Sequence, residues 1–262
     1  ARTVYVPRMS DHAFAIAGAF RYCGTASDVL PESSRQSADL GKKYVSGKEC
    51  YPCAVTTGDM VMKITAQGFD PDLSAFFMPS GSGPCRFGQY NVFQRMVLRD
   101  LGISDLPIYS PNQNEHFYRH LGSVGKEFSM RTWEGVVAIS ILRKCLLEAR
   151  PYEEKKGSAD TLYQACLAEL YETLSRRGGN AEQLLIKYAD AFRRIKTPGQ
   201  KRPLIGVVGE IFVRSNRFSN EDLIRKIEAL GGEAYLAPVD EWINYVNLMA
   251  LRRTLIKKDL SG

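Results

Sequence analysis

Short apolar runs alternate with amphipathic stretches from the first residues onward, and that alternation restricts the chain to few folds. Thr3–Val6 reads as a strand and Asp11–Tyr22 as the helix after it, with Asp11 near the N-cap. A second strand is expected at Asp28–Pro31, then a polar helix over Ser34–Lys43. Thr56-Thr-Gly-Asp59 opens a helix running to Gln67 and ending at Gly68. Ser74–Pro79 reads as a buried strand, Gln89–Asp100 as a helix and Leu106–Ser110 as a further strand. The strands are too uniformly apolar to alternate, as expected where both faces of a parallel sheet are covered. The pattern is that of βαβ units, an α/β fold with a Rossmann-like parallel sheet.

The middle breaks the pattern. Thr132–Glu148, Asp160–Arg176 and Asn180–Ile195 read as three successive helices with no strand between them. After the breaker Thr197–Pro203 the βα order restarts, with strands at Leu204–Gly209 and Ala234–Pro238 and helices at Asn220–Leu230 and Asp240–Lys258. The expected organisation is a Rossmann-like lobe over residues 1–128, a helical segment over 129–198, and the start of a second Rossmann-like lobe over 199–262. Two strands with one helix bury little surface, and the chain lacks an initial Met, so it reads as a piece of a longer polypeptide.

Two turns carry the chemistry. Gly47-Lys-Glu-Cys50-Tyr-Pro-Cys53 stands just upstream of an expected helix start, where the helix dipole favours thiolate. Ser80-Gly-Ser-Gly-Pro-Cys85-Arg-Phe-Gly-Gln-Tyr90 follows a strand, and turns after strand carboxyl ends line the ligand crevice of an open parallel sheet. Nothing in the sequence resembles a secretory signal, and no apolar run is long enough to cross a membrane, so a cytoplasmic protein with reduced thiols is expected. Cys50, Cys53 and Cys85 together suit a corner-open [4Fe–4S] cluster, which normally takes four thiolates. Zinc, a thioredoxin-like dithiol at Cys50 and Cys53, and plain core thiols stay open as alternatives. Cys145, on the Trp133/Val137/Ile141 stripe of its helix, and Cys166, beside Leu162 and Leu170, read as core residues; Cys23 reads as core or surface thiol. His116 and His120 stand four apart without the order of a metalloprotease helix and read as surface residues, and His12 carries less still.

A net charge of +6 is spread thinly and leaves room for an anionic partner. No zinc-finger or RNA-binding signature makes that partner a nucleic acid. Neither a P-loop nor a Gly-x-Gly-x-x-Gly fingerprint is present. Glu210, Arg214, Asn216 and Asn220 follow an expected strand and are placed either on the crevice rim or in a loop-stabilising network with a cap at Ser219 or Asn220. Arg86 and Arg214 are candidates to pair with coenzyme anions or with a negatively charged cluster.

Taken together, the two cysteine turns, Arg150-Pro-Tyr-Glu153, Val208–Arg214 with Asn216 and Phe218–Asn220, and Ala237–Trp242 resemble the dehydratase-like portion of CoA-substrate-specific enzyme activases. That family is related to 2-hydroxyacyl-CoA dehydratase subunits and double-cubane cluster proteins, and the resemblance spans nearly the whole chain. It implies two Rossmann-like lobes around a cysteine-held iron–sulfur cluster, with Cys50 and Cys85 as the best-matched ligands and Cys53 next. It further implies low-potential electron transfer driven by a separate ATP-dependent activase, and reductase or dehydratase chemistry on a CoA-thioester-type substrate. A non-catalytic lobe that docks the activase is the alternative.

Overall fold

The computed structural model describes residues 1–81, 83–111, 125–197 and 201–259. His116 and His120 and the centre of the expected breaker lie outside the described residues.

The first sheet has four parallel strands, β1 (Thr3–Val6), β2 (Ser27–Val29), β3 (Ser74–Phe77) and β4 (Ile108–Tyr109), in the order β2-β1-β3-β4. Helices cover both faces, and strand parity decides which side chain faces which. Val4, Val6, Ala75 and Phe77 point at α1 (Ala13–Tyr22), whereas Phe76 and Met78 point at α3 (Tyr51–Ile64) and α4 (Tyr90–Asp100). Each such Val or Phe, taken fully out of water, stabilises the fold by about 1.5–3 kcal/mol. The fold is therefore α/β with a Rossmann-like lobe, as the sequence pattern predicts.

α1 is buried on two sides. Ala13, Ala17 and Phe20 meet the sheet, and Ala15 meets the helical segment, formed by α5 (Gly125–Ala149), α6 (Ser158–Ser175) and α7 (Ala181–Ile195). Only small residues allow a helix to lie so close to neighbours on both sides, which explains its run of alanines. Arg131 of α5 donates to the carbonyls of Thr173, Leu174, Arg176 and Gly179, capping the carboxyl end of α6. The core stripe of α5 is Val136, Ile139, Leu142 and Leu146. The expected stripe is displaced: Trp133 and Ile141 are exposed and Cys145 is half-buried, because a long helix with apolar residues on several sides does not reveal from its period which side is covered. Cys166 is fully buried, as expected.

α2 (Arg35–Lys42) is capped by Ser34, whose side chain accepts from Ser37 N while Ser37 Oγ accepts from Ser34 N. It crosses α3 at two glycines in direct backbone contact. A Cβ at Gly58 would stand 1.8 Å from the Ser37 carbonyl oxygen, and one at Gly41 1.8 Å from that of Ala54. Glycine is the only residue that permits this crossing.

The second sheet pairs β5 (Leu204–Val207) and β6 (Glu233–Leu236) in parallel, with α8 (Ile211–Ser215) and α9 (Leu223–Ala229) between them. Val207, Ala234 and Leu236 pack with Ile224 of α9 and with Leu147 of α5. α10 (Asp240–Asp259) follows β6. The helix α8 is not legible in the sequence, being only five residues long. Among the described residues, no helix is long and apolar enough to cross a membrane.

Candidate functional site

The start of α3 differs from the sequence expectation. It begins at Tyr51 rather than Thr56, so the Cys50–Cys53 pair forms the first helical turn instead of an upstream loop. Cys50 is the N-cap, and Pro52 falls in the first turn, where a fixed φ and a missing N–H cost nothing. Glu49 ties the preceding turn by accepting from Ser46 N at 2.8 Å and Lys48 N at 3.2 Å.

The second turn leaves β3 and runs beside β4, with Met78 N donating to Tyr109 O and Ser80 N to Pro111 O. It then folds back on itself. Ser80 Oγ donates to Gly88 O at 3.0 Å, and a Cβ at Gly88 would come within 2.3 Å of the Gly81 carbonyl oxygen. Cys85 stands exposed at the head of a single turn of tighter helix, Arg86–Gln89, which leads directly into α4.

The fold brings the two turns together. Arg86 Nη1 donates to the Lys48 carbonyl at 2.7 Å, bridging one turn to the other. Tyr90, the first residue of α4, is buried in the cluster that holds Cys50, Cys53 and Phe87. Its hydroxyl lies against Cys50, with Cys53 and Cys85 near enough to act on it through charge; burial first, then these thiols, push its ionisation far above the ordinary tyrosine range. Beneath lies a buried polar floor, where Gln94 Nε2 donates to Thr56 Oγ1 at 3.4 Å and Thr56 Oγ1 donates to the Pro52 carbonyl at 2.8 Å.

The three thiols form a gradient of exposure. Cys53 is 3% exposed, Cys50 half-buried and Cys85 exposed. Burial, helped by the neighbouring Cys50, pushes the Cys53 thiol up to about 12, so it stays protonated unless a cation binds. Among the described residues, no group of three or more His, Cys, Asp or Glu converges tightly enough to hold a single metal ion. A tetrahedral ion requires that convergence, whereas a polynuclear cluster takes its thiolates at separate corners. The donor set, three soft sulfurs on two bridged turns beside an aromatic wall, fits an iron–sulfur cluster in chemistry.

The remaining sequence candidates are engaged elsewhere. Glu210 caps α8 by accepting from Val213 N at 2.8 Å. Arg214 Nη1 donates to the Gly209 carbonyl at 3.0 Å. Asn220 Nδ2 donates to the carbonyls of Val213 and Arg214. These contacts make the loop network anticipated as an alternative to a crevice rim. Asn216 also reaches out of its loop: its Oδ1 accepts from Ser219 N, and its Nδ2 donates to Ser33 Oγ at 3.2 Å. Phe212 meanwhile packs on Ala38 of α2 and Val55 of α3, with Met9 beside them and also against the cysteine cluster. Among the described residues, Glu210, Arg214 and Asn216 therefore make no hydrogen bond or ion pair with the cysteines, but Phe212, with Asn216 reaching Ser33, seats α8 on the helix that carries two of them.

That seat holds a group the sequence does not announce. Ser33 Oγ donates to Asp59 Oδ2 at 2.7 Å, and Asp59 Oδ1 is buried with no hydrogen-bond partner. Burial pushes this carboxyl up to about 6, against the opposing hydrogen bonds from Ser37 and Ser33. Its folded-state value lies above its unfolded one, so the folded chain retains a proton that the unfolded chain releases. The contribution is present at acid pH and is lost as pH rises through about 6, roughly 2–3 kcal/mol in all. Asp59→Asn is expected to remove this component. In urea midpoints compared across that window, the unmodified chain should gain on Asp59→Asn as the pH falls; parallel curves would show that Asp59 ionises normally.

Compared with known proteins, the chain matches no family model and no curated protein sequence.

Proposed function

We propose that Cys50, Cys53 and Cys85 hold an iron–sulfur cluster and that the chain is an electron-transfer or reductase-like component. The observation that carries this reading is the bridging of two cysteine turns, one before β3 in the chain and one after it, by Arg86 and Tyr90. The resemblance to activase-associated dehydratase-like proteins supplies the partner, an ATP-dependent activase, and the substrate class, a CoA-type thioester. A bound cluster supplies reversible one-electron chemistry at low potential.

The chain's own groups have defined parts in this reading. Cys53, kept protonated by burial, gives up its proton on loading, which couples metal uptake to proton release. Tyr90, held neutral, presents an O–H donor to the sulfur of Cys50, and Arg86, fixed on the Lys48 carbonyl, holds a cation between the two turns. Donors and positive charge at a thiolate cluster both favour its reduced state.

The test is anaerobic reconstitution with iron and sulfide. Broad visible absorbance with bound iron is expected, largely lost in Cys50→Ser, Cys53→Ser and Cys85→Ser but kept in Cys145→Ser. A colourless, iron-free chain, or iron indifferent to all three cysteines, would sink the reading. The dithiol alternative would instead show a reversible Cys50–Cys53 bridge without metal.

A further inference from the structure

The carboxyl ends of β1 and β6 both deliver loops to one cavity of about 460 Å³, walled on its third side by α5. His12, just before the first turn of α1, forms part of the lining, and Asp240, at the start of α10, faces it. Val137, Ile141, Leu147 and Leu236 supply an apolar wall. The stripe of α5 that sequence reading assigns to the core thus lines this cavity in part.

Most charges at the rim already have partners. Lys144 pairs with Glu148 at 3.8 Å, and Glu233 accepts from the Tyr152 hydroxyl at 2.7 Å. Asp11, just behind, is taken by Arg8 at 2.9 Å and by the Tyr163 hydroxyl at 2.7 Å. Two opposite charges differ. Among the described residues, Arg143 has no ion pair and makes a single hydrogen bond, from Nη2 to the Ser215 carbonyl at 3.2 Å. Asp240 Oδ1 is buried without a hydrogen-bond partner, as is Ser215 Oγ in the same lining.

The imidazole of His12 lies within the field of both. It is fixed by Ser10 Oγ at 3.0 Å on one nitrogen and Ser140 Oγ at 3.1 Å on the other. Burial drives it down to about 4 with Arg143 pushing the same way, while Asp11 and Asp240 oppose them. His12 is therefore a neutral, rigid spacer that has used both of its nitrogens. The unfilled bonding capacity of the cavity is a cation with free N–H donors and an anion with a free acceptor, set against an apolar wall.

We propose that this cavity binds a free α-amino acid with an apolar side chain, its carboxylate on Arg143, its ammonium on Asp240 and its side chain against Val137, Ile141, Leu147 and Leu236. A ligand with one charge would leave the other protein charge desolvated and unpaired, which is costly. A zwitterion matches both, and the cavity is of the size that small-molecule sites have. The cysteine turns have no part in this, so failure of iron loading would not bear on it.

The test uses the intact chain and titration calorimetry with L-phenylalanine and L-leucine as probes. Hydrocinnamate, which lacks the amine, and phenethylamine, which lacks the carboxylate, are the comparators. Binding of the amino acids is expected, with each single-charge analogue weaker by about tenfold or more. Arg143→Met and Asp240→Asn should each weaken L-phenylalanine by a similar factor, and Asp240→Asn should leave hydrocinnamate as tight or tighter. No heat from either amino acid at millimolar concentration, or analogues as tight as L-phenylalanine, would overturn the proposal. The analogue comparison needs no variant, so a substitution that impairs folding does not blunt it.

Discussion

Gly58→Ala is expected to destabilise the chain by about 3 kcal/mol or more, at the upper end of overpacking changes. The added methyl would sit 1.8 Å from the Ser37 carbonyl oxygen and 2.8 Å from Gly41 N, and both are backbone atoms. No side chain can swing aside to relieve it, so α2 and α3 must separate. Separation loosens Ala38 and Val55 from Phe212 and draws Ser37 away from Asp59. The measurement is a urea unfolding curve against the unmodified chain, where an unchanged midpoint would show that the helices are not in contact there. Because the first turn of α3 carries Cys50 and Cys53, the same variant is expected to take up less iron even under conditions where it stays folded.

The second large effect is at Arg150. Its guanidinium is 8% exposed and donates to both oxygens of Glu228, at 2.7–3.1 Å, and to Asp160 Oδ1 at 3.0 Å. Arg225 adds a second cation against Asp160. Arg150 follows α5, Asp160 begins α6 and Glu228 ends α9, so one side chain fastens the helical segment to the second lobe. Arg150→Met would leave Glu228 buried and without its main partner, a loss of about 3–5 kcal/mol. Arg150→Met with Glu228→Met is expected to recover much of that, since removing both partners spares the uncompensated charge. Denaturant midpoints of the two single variants and the double variant decide it. Additive losses would show that the pair is not coupled.

The neighbouring residues explain why Arg150-Pro-Tyr-Glu153 stands out in the sequence. Glu153 accepts from Gly157 N and Ala159 N at 2.8 Å, fixing the start of α6, and Tyr152 donates to Glu233 of β6. The stretch is a structural junction. Its role is invisible in the sequence because its partners lie up to 81 residues away.

Local signals are what the sequence made readable. The order of strands and helices follows from uniformly apolar runs between turns, and Ser34 and Asn180 act at or next to the helix starts expected for them. The first turn of α3 was obscured because Cys50, Tyr51 and Pro52 carry no strong helix propensity; burial of Cys53 against α4 decides the matter. The three cysteines could be named from residue type, but not their bridging, which depends on Arg86 meeting a carbonyl 38 residues earlier. Asp59 and the pair Arg143 and Asp240 were missed for a related reason. Each is an ordinary charged residue on a helix, and only a tertiary setting that leaves part of its bonding capacity unfilled makes it unusual.

The central place of β1 has a consequence for the order of events on the way to the folded state. It pairs with β2 across a short loop but meets β3 only when Thr3 lies opposite Ser74. Closing so long a loop is entropically slow, and no hairpin offers a shortcut in a sheet whose neighbours are all parallel. Cys50 and Cys85 flank β3 in the chain, and their own contact spans a shorter loop, Arg86 meeting a carbonyl 38 residues earlier. The joining of the cysteine turns is thus the shorter closure of the two, and the sheet that frames them the longer.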